Sequence, residues 1–196
     1  MFSNQTIAYG PNFYRHIGTE YLYIGGCMTQ PPASASGLTT VAPTFGNMRA
    51  VPFMSGRGGV IDRIAFNVTV AVASSVARVG IYTATSAENL YPDSLVIDGG
   101  EHATSSIGAK TATISQPLQP NTLYWFVHLG GVGSPTILGL GAGSCMSLLG
   151  RPSTLGANTS TNLTVAQTYG ALPASFPSGA AVASSTIPLI VVRYSA

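Results

Sequence analysis

The sequence predicts an all-β chain folded as an antiparallel sandwich or barrel. Three observations predict it. Short segments alternate between apolar and polar residues, turn signals separate them at regular spacing, and no amphipathic helix exceeds about two turns. A length of 196 residues suits one domain with an extended arm.

Residues 56 to 196 carry the sandwich signal. Val60 to Val72 has period-2 alternation, which places Ile64, Phe66, Val68, Val70 and Val72 on one face and Ala65, Asn67, Thr69 and Ala71 on the other. Ala73-Ser74-Ser75 reads as a hairpin connection into a second strand, Val76 to Thr83. Asn89 to Ser94 reads as a loop, because Pro92 lacks a ladder donor and Asn, Asp and Ser form local turns. Leu95 to Asp98 reads as a short strand ended by Gly99-Gly100, and Lys110 to Ser115 alternates again. Pro117 to Asn121 reads as a corner. Thr122 to Leu129 is so continuously apolar that burial on both faces is expected. Ala171 to Gly179 reads as irregular, and Thr186 to Tyr194 as the last strand, with an edge or bulge at Pro188.

Residues 1 to 55 read as an extended N-terminal arm. Gly10-Pro11, Gly25-Gly26 and Pro31-Pro32 interrupt it, and only Glu20 to Ile24 reads as a strand. Rings with large apolar area need a surface to cover. The expected contact residues are Phe2, Tyr9, Phe13, Tyr14, Arg15, Tyr21, Tyr23, Phe45, Arg49 and Phe53. The arm is expected on a neighbouring subunit, the alternative being the base of its own domain.

Four segments together resemble the jelly-roll module of tailed-phage virion proteins. They are Ile61-Asp62-Arg63-Ile64, Arg78 to Tyr82, Tyr91 to Val96 and Leu118 to Trp125. Related modules occur in capsid decoration (cement) proteins, head fibres, tail fibres and some bacterial surface proteins. The resemblance spans roughly residues 57 to 130 and implies an antiparallel jelly-roll β-sandwich. The family shares no functional residues, so none carries over. Asn121 stands where Pro-Gly is expected, and Asn tolerates the left-handed backbone a tight corner needs.

Composition bears on partners. Charged residues are 7% of the chain, replaced by 21 Ser, 20 Thr and 23 Gly; typical soluble domains hold about 25%. A surface with so few ions is expected to be partly hidden by other protein. The net charge of +2 is too small to capture nucleic acid or an anionic membrane. Seven Arg against one Lys fits bidentate interfacial pairing. The start of the chain lacks a basic and apolar leader pattern, and Thr186 to Val192 is too short to span a bilayer. Cys27 and Cys145 fit one disulfide or two buried thiols, the second being expected.

The search for chemistry finds no catalytic set. Asp93, Asp98 and Glu101 form the acidic cluster, whose glycosidase and calcium readings are weighed against simple loop solvation. His16, His102 and His128 lack metal-ligand spacing, and His128 is expected as a hydrogen-bonded sheet residue. No Gly-x-Ser-x-Gly elbow occurs. Gly139 to Ser144 lacks the Lys and helix of a phosphate loop, so its glycines are expected to serve close packing or a flexible loop.

The expectation is therefore a non-enzymatic structural protein of a virion, without cofactor or metal. It would be a decoration or head-fibre protein, a homotrimer, bound through its arm to the major capsid protein or other virion subunits. The alternative is a tail-fibre receptor-binding domain that stacks host glycan on Tyr82, Tyr91 or Trp125. A small polysaccharide-degrading enzyme is the third class.

Overall fold

A computed structural model describes residues 22–24, 38–55, 58–86, 90–141, 162–183 and 185–195. Thirteen strands are present among them: β1 (Leu22–Ile24), β2 (Leu38–Val41), β3 (Asn47–Ser55), β4 (Gly59–Val70), β5 (Val76–Ala84), β6 (Pro92–Ala103), β7 (Gly108–Leu118), β8 (Thr122–Gly130), β9 (Thr136–Leu140), β10 (Asn162–Ala166), β11 (Ala181–Ala183), β12 (Ile187–Pro188) and β13 (Val191–Tyr194). All pairings are antiparallel, in two sheets packed face to face.

Strands β2 to β9 make an eight-stranded jelly roll. One sheet runs β2-β9-β4-β7 and the other β3-β8-β5-β6. The remaining strands extend this frame. β10 and β11 continue the second sheet beyond β3. In the first sheet, β12 pairs with β9, β13 pairs with β4, and β1 lies outside β13.

The arm boundary is corrected here. Residues 38 to 55 are the first two strands of the jelly roll, not an arm. β3 sits between β8 and β10, and Phe53 stacks on Phe126 with ring centroids 4.4 Å apart in the inter-sheet core. Proline and glycine around β2 and β3 masked the pattern, and Pro52 is accommodated inside β3.

Three further expectations change. Ala73-Ser74-Ser75 is no hairpin turn, because it carries the chain from β4 in one sheet to β5 in the other. Gly99-Gly100 does not end a strand either. β6 continues to Ala103 through a bulge opposite Val79, with Gly100 at φ 84°. The closing strand is interrupted at Leu189-Ile190, where it leaves β9 for β4. Asn121 is left-handed, with φ 51°, as its corner position suggested.

In β4, Ile64, Phe66 and Val68 face the core as the alternation predicts. A bulge at Asp62 shifts the phase, so that Ile61 is buried too, and the Asp62 carboxylate receives both the Nε–H and an Nη–H of Arg193 at 2.8 and 2.7 Å. Val70 has run past the core and is exposed.

β8 is buried from Tyr124 to Gly130. Tyr124 and Phe126 face the inter-sheet core, whereas Trp125, Val127 and Leu129 face outward into a second apolar cluster with Leu172 and Phe176. The irregular segment 167–180 supplies that outer cover. Its fit depends on Gly80, where a Cβ would come within 2.3 Å of Leu172 Cδ1 and 2.7 Å of the Ile97 carbonyl oxygen. Gly80→Ala is expected to destabilise the protein by about 1–3 kcal/mol, read as a lowered urea midpoint. Gly170→Ala, with nothing within 4 Å, serves as the near-neutral control.

Candidate interaction surface

The jelly-roll topology sorts its loops to two ends. The connections β2–β3, β4–β5, β6–β7 and β8–β9 share one end, termed the tip. The connections β3–β4, β5–β6 and β7–β8 share the other, termed the base; there Pro120 lies 3.0 Å from where a Gly58 Cβ would sit.

The tip is laced together by backbone and hydroxyl groups. Ser75, buried in the β4–β5 corner, is the hub. Its N–H and hydroxyl both donate to the Val72 carbonyl, at 3.2 and 2.7 Å. Its oxygen lies 2.6 Å from the Thr104 hydroxyl, and its carbonyl accepts the Thr104 N–H at 2.8 Å, which ties in the β6–β7 loop. Val76 and the β8–β9 loop exchange two bonds, Val76 N–H to the Val132 carbonyl and Gly131 N–H to the Val76 carbonyl. The β2–β3 turn joins through the Gly46 N–H to the Gly130 carbonyl. Ser74 adopts φ 59° to make the corner.

Each tip connection carries one large exposed apolar side chain. Phe45 is 56% exposed, Val70 55%, Ile107 71% and Val132 59%. Single exposed hydrophobics are ordinary, but four gathered at one end by topology form a patch of the kind that marks interaction surfaces. Sequence reasoning named only Phe45 among them, and for a different reason. Val70, Ile107 and Val132 are scattered in sequence, and only the jelly-roll order brings their loops to one end.

The predicted arm residues divide. Phe45 is exposed at the tip. Arg49 and Phe53 are internal: an Arg49 Nη–H donates to the Thr186 carbonyl at 3.0 Å and burial lowers its pKa, while Phe53 packs on Phe126. Both were assigned to the arm because its boundary was set too late, and neither is a free contact residue. Tyr23 contributes backbone to β1. Phe2, Tyr9, Phe13, Tyr14, Arg15 and Tyr21 lie outside the described residues, as do His16, Cys27 and Cys145.

The acidic cluster is consumed by structure. Asp98 pairs with Arg78 at 2.7 Å and accepts the N–H groups of Gly100 and Leu172, which fastens the cover segment to the sheet. Glu101 accepts the Tyr169 hydroxyl at 3.0 Å, while burial and that carboxylate push the Tyr169 pKa well up. Asp93 accepts the Ser94 hydroxyl. Among the described residues, no group of three His, Cys, Asp or Glu is placed to hold a metal.

The three aromatics proposed for sugar stacking are engaged as well. Trp125 is fully buried and donates to the Leu90 carbonyl; Tyr82 is fully buried and donates to the Pro173 carbonyl. Tyr91 donates to the Pro177 carbonyl and accepts the Ala180 N–H. These rings hold the cover segment down.

His128 departs from expectation. It is fully buried between the sheets, and neither ring nitrogen has a hydrogen-bond partner. Its ring meets Phe66 edge-on at 5.5 Å, and His102 meets Phe66 from another side at 5.8 Å. Burial, and then the Arg49 charge, push its pKa down to about 3.

No protein-family model matches the chain, and no curated protein matches it.

Two outcomes follow from this geometry. Ser75→Ala leaves the buried Thr104 hydroxyl short of a partner, with an expected cost of about 1–3 kcal/mol, seen as a lowered thermal midpoint and faster amide exchange in the four tip loops. The second outcome concerns pH. His128 is neutral in the fold and protonates near 6.5 in the unfolded chain. Its contribution is therefore complete above that pH and is lost as pH falls toward 3, at about 1.4 kcal/mol per unit. His102, whose pKa burial also lowers, acts in the same direction. Urea midpoints at pH 7 and pH 5 should differ by about 2 kcal/mol in stability from His128, and His128→Leu should flatten that difference.

Proposed function

We propose that the chain is a structural protein of a virus particle, a capsid decoration or head-fibre subunit that attaches through protein–protein contacts and performs no catalysis. One observation supports this reading above the others. The four loops of one end are bonded into a rigid unit that presents an exposed apolar residue from each connection, on a chain that is only 7% charged. A surface short of ions and carrying an apolar end is suited to being covered by other protein. The acids, tyrosines and tryptophan that suggested chemistry or sugar binding are instead bonded internally. The resemblance of residues 57–130 to phage jelly-roll modules points in the same direction.

In this reading the aromatic segment ahead of β2 supplies the contact arm, and the jelly roll is the body that projects from the shell. The functional arm is shorter than residues 1–55, because residues 38–55 belong to the body.

The test is co-sedimentation of the purified full-length chain with mature shells that lack it. The expected result is saturation at a fixed ratio to the shell subunit and a raised temperature of shell disruption. Deletion of residues 1–21, which leaves every strand from β1 to β13 in place, should abolish pelleting while the thermal midpoint of the chain itself holds. A full-length chain that stays in the supernatant at saturating concentration would remove the proposal.

A further inference from the structure

The tip and the aromatic segment lie at opposite ends of the jelly roll, which bears on how copies of the chain meet. β4 runs from the base at Gly59 to the tip at Val70. β13 pairs antiparallel with it, with Arg193 opposite Arg63 and Val191 opposite Ala65. β1 pairs antiparallel with β13, with Leu22 opposite Arg193 and Ile24 opposite Val191. β1 therefore runs from base to tip, and the chain enters it from the base side.

The 21 residues that precede β1 contain five aromatic rings, at Phe2, Tyr9, Phe13, Tyr14 and Tyr21, and two formal charges, Arg15 and Glu20, that cancel. This segment needs an apolar, weakly charged surface. The tip offers one in Phe45, Val70, Ile107 and Val132, with Lys110 close by and bonded to Ser106. Four side chains are far fewer than the about 20–30 residues per side of a stable interface between folded faces. They suit anchor rings from an extended chain, which buries apolar area on a small patch and draws further contacts from its backbone and flanks.

We propose that the tip is the docking site for residues 1–21 of a neighbouring copy of this chain. The inference rests on the reading of that segment as a contact arm. Direction favours a neighbour over the same copy, since a segment that enters from the base would have to reverse along its own sandwich to reach its own tip. Reach is sufficient: 21 extended residues span about 70 Å, against about 40 Å for the twelve residues of β4. The contact is heterologous, base of one copy to tip of the next, so it generates a ring when the rotation closes. The homotrimer expected from the resemblance is the smallest ring of this kind.

The experiment places a photoreactive benzoylphenylalanine at Phe45, and separately at Ile107, in the full-length chain. Both positions are exposed, so the fold tolerates the probe. Chains grown in ordinary and in heavy nitrogen are mixed, irradiated and mapped by mass spectrometry. The expected product is a covalent adduct of mixed isotope label whose second peptide falls within residues 1–21. Tyr9→Ser with Phe13→Ser should lower its yield by about tenfold, the loss expected when anchor rings are removed. An adduct confined to one isotope label places the segment on its own copy and overturns the exchange. Adducts between two tips, adducts to any other part of the chain, or none at either probe position also overturn it. The adduct is read on the isolated chain and decoration on the shell, so the two proposals fail independently.

Discussion

The fold depends on one constraint: β8 is apolar on both faces and both must be covered. Tyr124, Phe126 and His128 require a second sheet, and β4, β7 and β9 provide it. Trp125, Val127 and Leu129 require a cover on the far side, and residues 167–180 provide that. The two sheets satisfy the first demand by ordinary sandwich packing. The second demand explains why the chain continues past the eighth jelly-roll strand. β10 and β11 extend the sheet, and the segment between them returns across it, held by the Tyr82 and Tyr91 hydroxyls, the Trp125 indole N–H and the Asp98 carboxylate.

The same view accounts for what the sequence revealed and what it concealed. Strands with one solvent face were legible from alternation, and β8 from its lack of it. The pairing partners were not legible, because period 2 fixes which residues share a face but not which sheet receives the strand. That is why a corner was read as a hairpin at Ala73-Ser74-Ser75, where the structure crosses from β4 to β5. Glycine was ambiguous for a similar reason. Gly99-Gly100 resembles a stop signal, but a bulge and a close approach to the Val79 carbonyl use the same residues. The arm boundary was set too late because Pro43, Gly46 and Pro52 interrupt β2 and β3, although the apolar content of residues 47–55 was already that of a central strand.

The candidate surface was the least legible part. Phe45, Val70, Ile107 and Val132 are separated by 25 to 37 residues from one to the next, and no local pattern relates them. Their association is a property of jelly-roll order, which sends alternate connections to the same end. The functional residues that looked most informative in sequence, the acids and the large aromatics, were those with the strongest structural reasons to be there. Buried polar groups need partners and large rings need cover, and both needs are met inside this fold.

The distribution of charge then determines what kind of contact remains available. The chain has only six acids, and three of them are committed inward: Asp62 to Arg193, Asp98 to Arg78 and Glu101 to Tyr169. Arg49 is turned toward the Thr186 carbonyl beneath the surface. The outer surface is therefore poorer in mobile ions than the 7% composition alone suggests. Recognition on such a surface gains little from steering or from ion pairs, whose exposed forms contribute about 0–1 kcal/mol in any case. It must come from burial of apolar area at rigid positions, and the tip, stiffened through Ser75, is where the described residues combine exposure with rigidity. The low charge that first suggested a covered molecule thus restricts how it can be covered: by a partner that brings rings rather than ions.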